Sequence, residues 1–230
     1  MAYFLKSAFV LSTSVLLLTG CNDSSSSTSA TAEDSTARTS TTATAEAEWI
    51  PLFDGTSLAG WKVNEHPATF TVEDGSIVAH GERAHLFYDG PVMDHTFKNF
   101  ELKAEVMTTP GSNSGVYFHT QYQDEGWPSN GYEVQVNNSH PDPRRTASLY
   151  AIDDVAEPAS PDNQWFTLYI KVDGTHIVTE VDGKPMVDYT QPDSVDTTTG
   201  RGLAQGTFAL QGHDPESKVY FRSVMVRPLP

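Results

Sequence analysis

The 230-residue chain has a single cysteine, Cys21, so no disulfide can form within it and the fold must be held by its core. Basic residues are scarce: 14 Lys and Arg stand against 30 Asp and Glu, a formal net charge of -16. A surface of that sign repels polyanions, which argues against nucleic acid as a partner. Only the short pair Arg144-Arg145 breaks the pattern. No G-x-G-x-x-G fingerprint follows a strand, so nothing points to a dinucleotide cofactor or to an oxidation carried out by this chain itself. Sustained helical periodicity is missing throughout. The apolar stretch AFVLSTSVLLL near the N-terminus is shorter than the roughly 20 residues a transmembrane helix needs.

That stretch follows Lys6 and precedes Thr19-Gly20-Cys21, which reads as an export signal. The ending LTGC resembles a bacterial lipoprotein cleavage site, which implies that Cys21 becomes a lipidated first residue and anchors the chain to a membrane through lipid alone. An ordinary signal peptide with an incidental cysteine is the alternative. Residues 21–47 are rich in Ser, Thr and Ala, cannot bury enough apolar surface to offset ordering, and read as a flexible tether. The expected organisation is a signal peptide over 1–20, a tether over 21–47 and one globular domain over 48–230. Its expected location is the periplasm or the cell surface.

Within the domain the signals are strands and turns. TFTVEDGSIVAH and HIVTEVDGKPMVDY each hold two alternating runs around Asp-Gly, the mark of a tight hairpin. Segments 100–108, 114–121, 131–138, 165–174, 207–212 and 218–226 add further strands. Many short strands without helices predict an all-β, jelly-roll β-sandwich. Trp61 and Trp165 are expected in its core.

Sorting each strand by face separates two kinds of surface. In FELKAEVM, Phe100, Leu102, Ala104 and Val106 point inward and leave Glu101, Lys103 and Glu105, a plain wet face. Three other strands differ. SGVYFHTQ leaves Tyr117, His119 and Gln121; GYEVQV leaves Glu133 and Gln135; TFALQGH leaves Thr207, Gln211 and then His213. These faces carry amides, rings and imidazoles where lysines are usual. Fixed donor and acceptor patterns suit hydroxyl-rich ligands, and flat rings suit sugar faces. Trp127, in the loop beside Glu133, is a candidate sugar platform. Taken alone, Glu133 reads as a solvated strand glutamate more readily than as a catalytic one, and His119 or His213 alone as a surface or structural histidine rather than a base or ligand. Asp153-Asp154 and His213-Asp214 are adjacent pairs that, on a strand, would point to opposite faces and so form no metal motif.

The motifs also carry a family resemblance. WIPLFDGTSLAGW (49–61), NFELKAEV (99–106), NSGVYF (113–118), GYEVQV (131–136), SLYAI (148–152), WFTLYI (165–170), a VDG hairpin, LQGH (210–213) and VYFRSVMVRPL (219–229) follow in order. Together they resemble the 3-keto-disaccharide hydrolase domain family across nearly the whole globular part. The departures are Leu210-Gln211-Gly212-His213-Asp214 and Phe221-Arg222-Ser223-Val224, which keep His213 and Arg222.

The resemblance implies a concanavalin A-like sandwich and a sugar substrate oxidised to a ketone at C3. Such a ketone acidifies the C2 proton, so a base can trigger β-elimination of the C1 oxygen, and water can then add. Glu133 or His213 is expected as base. The other is then the acid, or both hold a divalent metal ion that polarises the ketone. Asn113, His119, Trp127, Gln135, Tyr150 and Gln211 are expected to bind substrate. A separate sugar oxidoreductase would supply the ketone. The alternatives are a non-catalytic, lectin-like binding module and a conventional glycosidase. The latter is disfavoured because Gln135 stands where a second strand carboxylate would be.

Overall fold

Alternating apolar and polar residues close into strands wherever one face can be buried. The computed structural model describes residues 48–195 and 201–230. The expected signal peptide, the tether and Cys21 lie outside the described residues. In chain order the strands are β1 (Ile50–Pro51), β2 (Trp61–Val63), β3 (Phe70–Glu73), β4 (Ser76–Ala79), β5 (Ala84–Tyr88), β6 (Phe100–Thr108), β7 (Ser114–Thr120), β8 (Tyr132–Val136), β9 (Phe166–Asp173), β10 (His176–Val181), β11 (Lys184–Thr190), β12 (Thr207–Gly212) and β13 (Val219–Pro228). They form two antiparallel sheets, ordered β11-β10-β9-β6-β13-β4-β3 with β1 beside β13, and β2-β5-β12-β7-β8.

Both Asp-Gly pairs turn as expected. Asp74 and Gly75 have φ of 46° and 76°, and Asp182 and Gly183 have 50° and 75°. Two successive left-handed residues are what a two-residue hairpin turn requires. The core lies between the sheets. Phe100, Leu102, Ala104 and Val106 of β6 and Phe166, Leu168, Ile170 and Val172 of β9 meet Val116, Phe118, Val134, Phe208 and Leu210 from the other side. Trp61 is buried there and donates its indole N–H to Leu52 O at 2.8 Å. Trp165 is not in the core. It lies half-buried on the outer face of the larger sheet, where the Arg222 guanidinium sits 3.9 Å from its ring centroid and Tyr220 packs beside it.

The two sheets differ in how their second face is treated. Strand β9 alternates buried and half-exposed residues, so its outer face meets water. In β5, β7, β8 and β12 every residue is buried. The polar alternates of the smaller sheet are therefore covered rather than wet. The cover comes from the β7–β8 connection, residues 121–131, and the β8–β9 connection, residues 137–165. Residues 147–150 of the latter run along β8: Ala147 N–H donates to Gln135 O, Gln135 N–H to Ser148 O, and Tyr150 N–H to Glu133 O, all within 3.0 Å. The basic pair folds this connection. Arg145 Nη1 donates to His140 O and Asp142 O at 2.8 Å, and Arg144 pairs with Asp154 at 3.1 Å.

Candidate active site

The site begins with β8. Tyr132, Val134 and Val136 enter the core, so Glu133 and Gln135 take the covered face. Register with β7 puts Tyr117 opposite Glu133 and Gly115 opposite Gln135, and Ala209 of β12 lies opposite Tyr117. Glu133 is only 4% exposed. The Tyr117 hydroxyl donates to Glu133 Oε2 at 2.8 Å, and Gln211 Nε2 donates to Glu133 Oε1 at 2.9 Å. The Arg201 guanidinium stands 3.8 Å from Oε2. Burial pushes the Glu133 carboxyl above its ordinary value, and the Tyr117 hydrogen bond, the Arg201 charge and the Gln211 hydrogen bond offset this only in part. Burial and the neighbouring Glu133 charge push the Tyr117 phenol upward, so it remains a donor.

Gly115 is what lets the carboxyl sit there. A Cβ at this position would lie 2.6 Å from Glu133 Oε1 and 3.0 Å from its Cγ. Gly115→Ala is therefore expected to fold, because the backbone there needs no glycine conformation. It should also displace the carboxylate and, with Glu133 read as a reacting group, lower turnover by about 10²-fold, the scale of an ångström's misplacement there. Circular dichroism beside steady-state rates checks this, and an undisturbed rate would contradict it.

A rail of amides leads along the same face. Gln135 Nε2 donates to Asn113 Oδ1 at 3.0 Å, and Asn113 Nδ2 donates to His140 Nδ1 at 3.2 Å. Gln135 Oε1 and Gln211 Oε1 are buried with no partner. Each unmade hydrogen bond costs about 1–3 kcal/mol in a buried setting, which a ligand hydroxyl would recover. Tyr150 closes one side, its ring flanked by the Arg144 and Arg201 guanidiniums at 4.6 and 5.2 Å.

The far side is built by the end of β12. The strand stops at Gly212, so His213 and Asp214 do not obey the opposite-face rule expected of strand neighbours. Instead His213 Nδ1 and Asp214 Oδ2 are 2.5 Å apart. Asp214 also accepts the N–H groups of Glu216 and Ser217 and the Ser217 hydroxyl. Burial works against the ionised Asp214, but the His213 bond and these donors outweigh it and hold the carboxyl below its ordinary value. An ionised Asp214 keeps the proton of His213 on Nδ1 and leaves the Nε2 lone pair free. Trp127 packs 5.6 Å from the His213 ring and 5.4 Å from His85 beneath it. His85 is wholly buried with neither ring nitrogen partnered, and burial pulls it down to about 3, so it is neutral.

Of these groups Asn113, Tyr117, Trp127, Glu133, Gln135, Tyr150, Arg201, Gln211 and His213 line one cleft of about 340 Å³, which also takes in Asp142. Arg201 is the one Lys or Arg side chain among its described lining residues. Among the described residues, one set offers ligand atoms close enough for a metal ion: His140, His213 and Asp214, within 4.8 Å of one another. In this arrangement His140 Nδ1 accepts the Asp142 and Asn113 N–H groups, and Asp214 is held by His213 and its own loop. Those bonds suit a proton-handling dyad better than metal ligands.

His119 is not in the cleft. Thr207 pairs with Thr120 while Ala209 pairs with Tyr117, so β7 carries an extra residue, and His119 takes φ 55°. This bulge turns the imidazole onto Phe100 and Phe118. There Nε2–H donates to Lys98 O at 2.8 Å and Nδ1 accepts Ala204 N–H at 3.2 Å. Burial pulls its pKa down to about 4, which fits a neutral structural histidine.

The sequence profile of the 3-keto-alpha-glucoside-1,2-lyase-like domain matches residues 48–227. The chain belongs to this family. A protein of Bacteroides thetaiotaomicron named 3-keto-disaccharide hydrolase is 31% identical over 144 residues, 51% of this chain and 50% of that protein. The chain thus spans about half the length of the curated relative it matches. A crystal structure from Parabacteroides distasonis superposes with a TM-score of 0.65 at 21% identity, covering 79% of this chain and 94% of the other. The carbohydrate binding module CBM66 of Bacillus subtilis gives 0.52 at 13%, covering 73% and 95%. These likenesses agree with the expected sandwich fold.

In this lyase-like domain the expected residues Glu133, His213, Asn113, Trp127, Gln135, Tyr150 and Gln211 all line the cleft, and His119 alone does not. Tyr117, Asp142 and Arg201 also line it and were not among the expected site residues. Tyr117 shared the face with His119 in the strand pattern. Arg201 and Asp142 lie in irregular connections where no periodicity marks a direction.

Proposed function

We propose that the domain cleaves glycosides whose reacting ring carries a C3 ketone, by elimination followed by hydration. The carrying observation is the placement on one cleft of an imidazole, His213, held through Nδ1 by Asp214, and a buried carboxyl with a raised pKa, Glu133. His213 Nε2 takes the C2 proton, and the C2–H electrons form the enolate with its charge on the C3 oxygen. As the C1–O bond breaks, the enolate collapses to the unsaturated ketone and the departing oxygen takes the proton of Glu133. Water then adds across the C1=C2 bond, its hydroxyl to C1 with its other proton passing to Glu133, while C2 takes back the proton held by His213; this gives the saturated 3-keto sugar, so the net change is hydrolysis. Arg201 supplies positive charge for the enolate, and the unpartnered oxygens of Gln135 and Gln211 accept sugar hydroxyls.

Because nothing in the chain resembles a dinucleotide site, the ketone comes from a separate sugar oxidoreductase. The N-terminal reading places the domain outside the cytoplasm on a lipid anchor at Cys21. The decisive experiment offers the purified protein a 3-keto-glucoside and the same glucoside unoxidised. Cleavage of the first alone is expected. Equal cleavage of both would replace this reading with a conventional glycosidase, and binding without product would replace it with a lectin.

A further inference from the structure

The covered face of the smaller sheet holds a second cleft, of about 300 Å³, close to the volume of the first. It lies where β5 and β7 end and β12 begins, at Phe87, Thr120 and Thr207. Tyr117 of the first cleft and Phe87 of the second lie in one cross-strand row, with Ala209 between them. At the usual strand spacing their backbones are about 10 Å apart. The β7–β8 connection gives each cleft a ring, Trp127 to the first and Tyr122 to the second. Tyr122 stands edge-on to Phe87 at 5.4 Å, and the Lys62 ammonium holds its ring from 3.5 Å.

The lining is again that of a sugar site. Thr96, Thr120 and Thr207 offer hydroxyls, Gln121 and Gln205 amides, His95 an imidazole and Asp89 a carboxylate, with no lysine or arginine among the described lining residues. An anionic ligand would meet the Asp89 carboxylate, while the Lys62 ammonium is already held on the Tyr122 ring, and a lipid would bury these polar groups unpaired. Thr207 Oγ1 already donates to Tyr88 O at 2.6 Å. Thr120 Oγ1 is buried with no partner at all. A ligand hydroxyl would supply one.

We propose that the second cleft is a subsite for a further hexose unit of the same glycan, next to the unit that reacts in the first cleft. The kinetic arm of the test rests on the cleavage reading above; the binding arm does not. In the kinetic arm, KM is measured for methyl 3-keto-glucoside and for 3-keto-glucosides bearing one and two more glucose units. Tyr122→Ala is expected to raise KM for the longer substrates by about tenfold relative to the methyl glucoside. Thr120→Val should raise that ratio about threefold while leaving the melting temperature equal or higher, because the hydroxyl it removes has no partner in the free protein. A role in folding alone would lower stability and move both substrates together. In the binding arm, calorimetry with unoxidised gluco-oligosaccharides of one to three units should show affinity rising with length in the native chain and the gain lost in Tyr122→Ala. If 3-keto substrates are not cleaved yet this length dependence holds, the cleavage reading falls and the subsite stands. An unchanged KM ratio, or affinity independent of length, overturns the subsite.

Discussion

Glu133→Gln is expected to lower turnover of a 3-keto disaccharide by about 10²- to 10⁴-fold, the usual worth of a positioned proton donor. The loss should depend on the leaving group. A sugar alkoxide leaves badly without a proton, whereas 4-nitrophenolate hardly needs one, so the 4-nitrophenyl 3-keto-glucoside should lose far less. The pH profile follows from the direction of the shift. Burial holds the Glu133 carboxyl above its ordinary value, so the acid form persists to higher pH than an exposed glutamate's would. The native kcat for disaccharide should fall as pH rises through that raised value, and the glutamine variant should lack this limb.

Stability carries the same sign. A carboxyl whose proton is held more tightly in the folded state contributes fully below the ordinary carboxyl range and loses that contribution as pH rises through the folded value. Thermal melts of Glu133→Gln should therefore depend less on pH than those of the native chain. An equal rate loss for sugar and nitrophenyl leaving groups would remove Glu133 from the acid role.

Glu133 also shows how far a sequence can be read. Strict alternation in Tyr132–Val136 is enough to say that Glu133 and Gln135 leave the core, and the same reasoning separates Gln211 from Leu210. What period-two logic cannot supply is register between strands. Gln211 reaches Glu133 only because β12 and β8 both flank β7 at one level, a long-range pairing with no local trace. Nor does alternation survive a bulge. His119 follows Phe118 as an outward residue on paper, and one left-handed residue sends it inward. Gly115 falls inside the expected strand 114–121, yet nothing in the alternation shows that it lies beneath the Glu133 carboxyl. A missing side chain has meaning only once the neighbouring strand is known.

The two faces of the small sheet also explain its odd composition. A wet face favours lysine and glutamate because long charged chains are cheap in water. Here the connections 121–131 and 137–165 cover that face, and a covered lysine would need a partner. Amides and imidazoles can satisfy one another, as Gln135, Asn113 and His140 do, while leaving single acceptors such as Gln211 Oε1 for a ligand. The same polar pattern that folds the sheet leaves a few groups unsatisfied, and these mark where binding is to be sought.

His213→Ala separates the two halves of the proposed chemistry. If His213 removes the C2 proton, the variant loses cleavage by about 10²- to 10⁴-fold for every leaving group. It should also lose exchange of the C2 hydrogen with deuterated solvent. Glu133→Gln should keep that exchange, because deprotonation precedes departure of the C1 oxygen and the enolate can be reprotonated when departure stalls. Asp214→Asn should fall between, since the imidazole remains but the partner that holds its proton on Nδ1 is weakened. Nuclear magnetic resonance of a 3-keto-glucoside in deuterium oxide reads both steps at once. The reverse pattern, exchange lost in Glu133→Gln and kept in His213→Ala, would swap base and acid. Exchange kept in both would place the base elsewhere in the cleft.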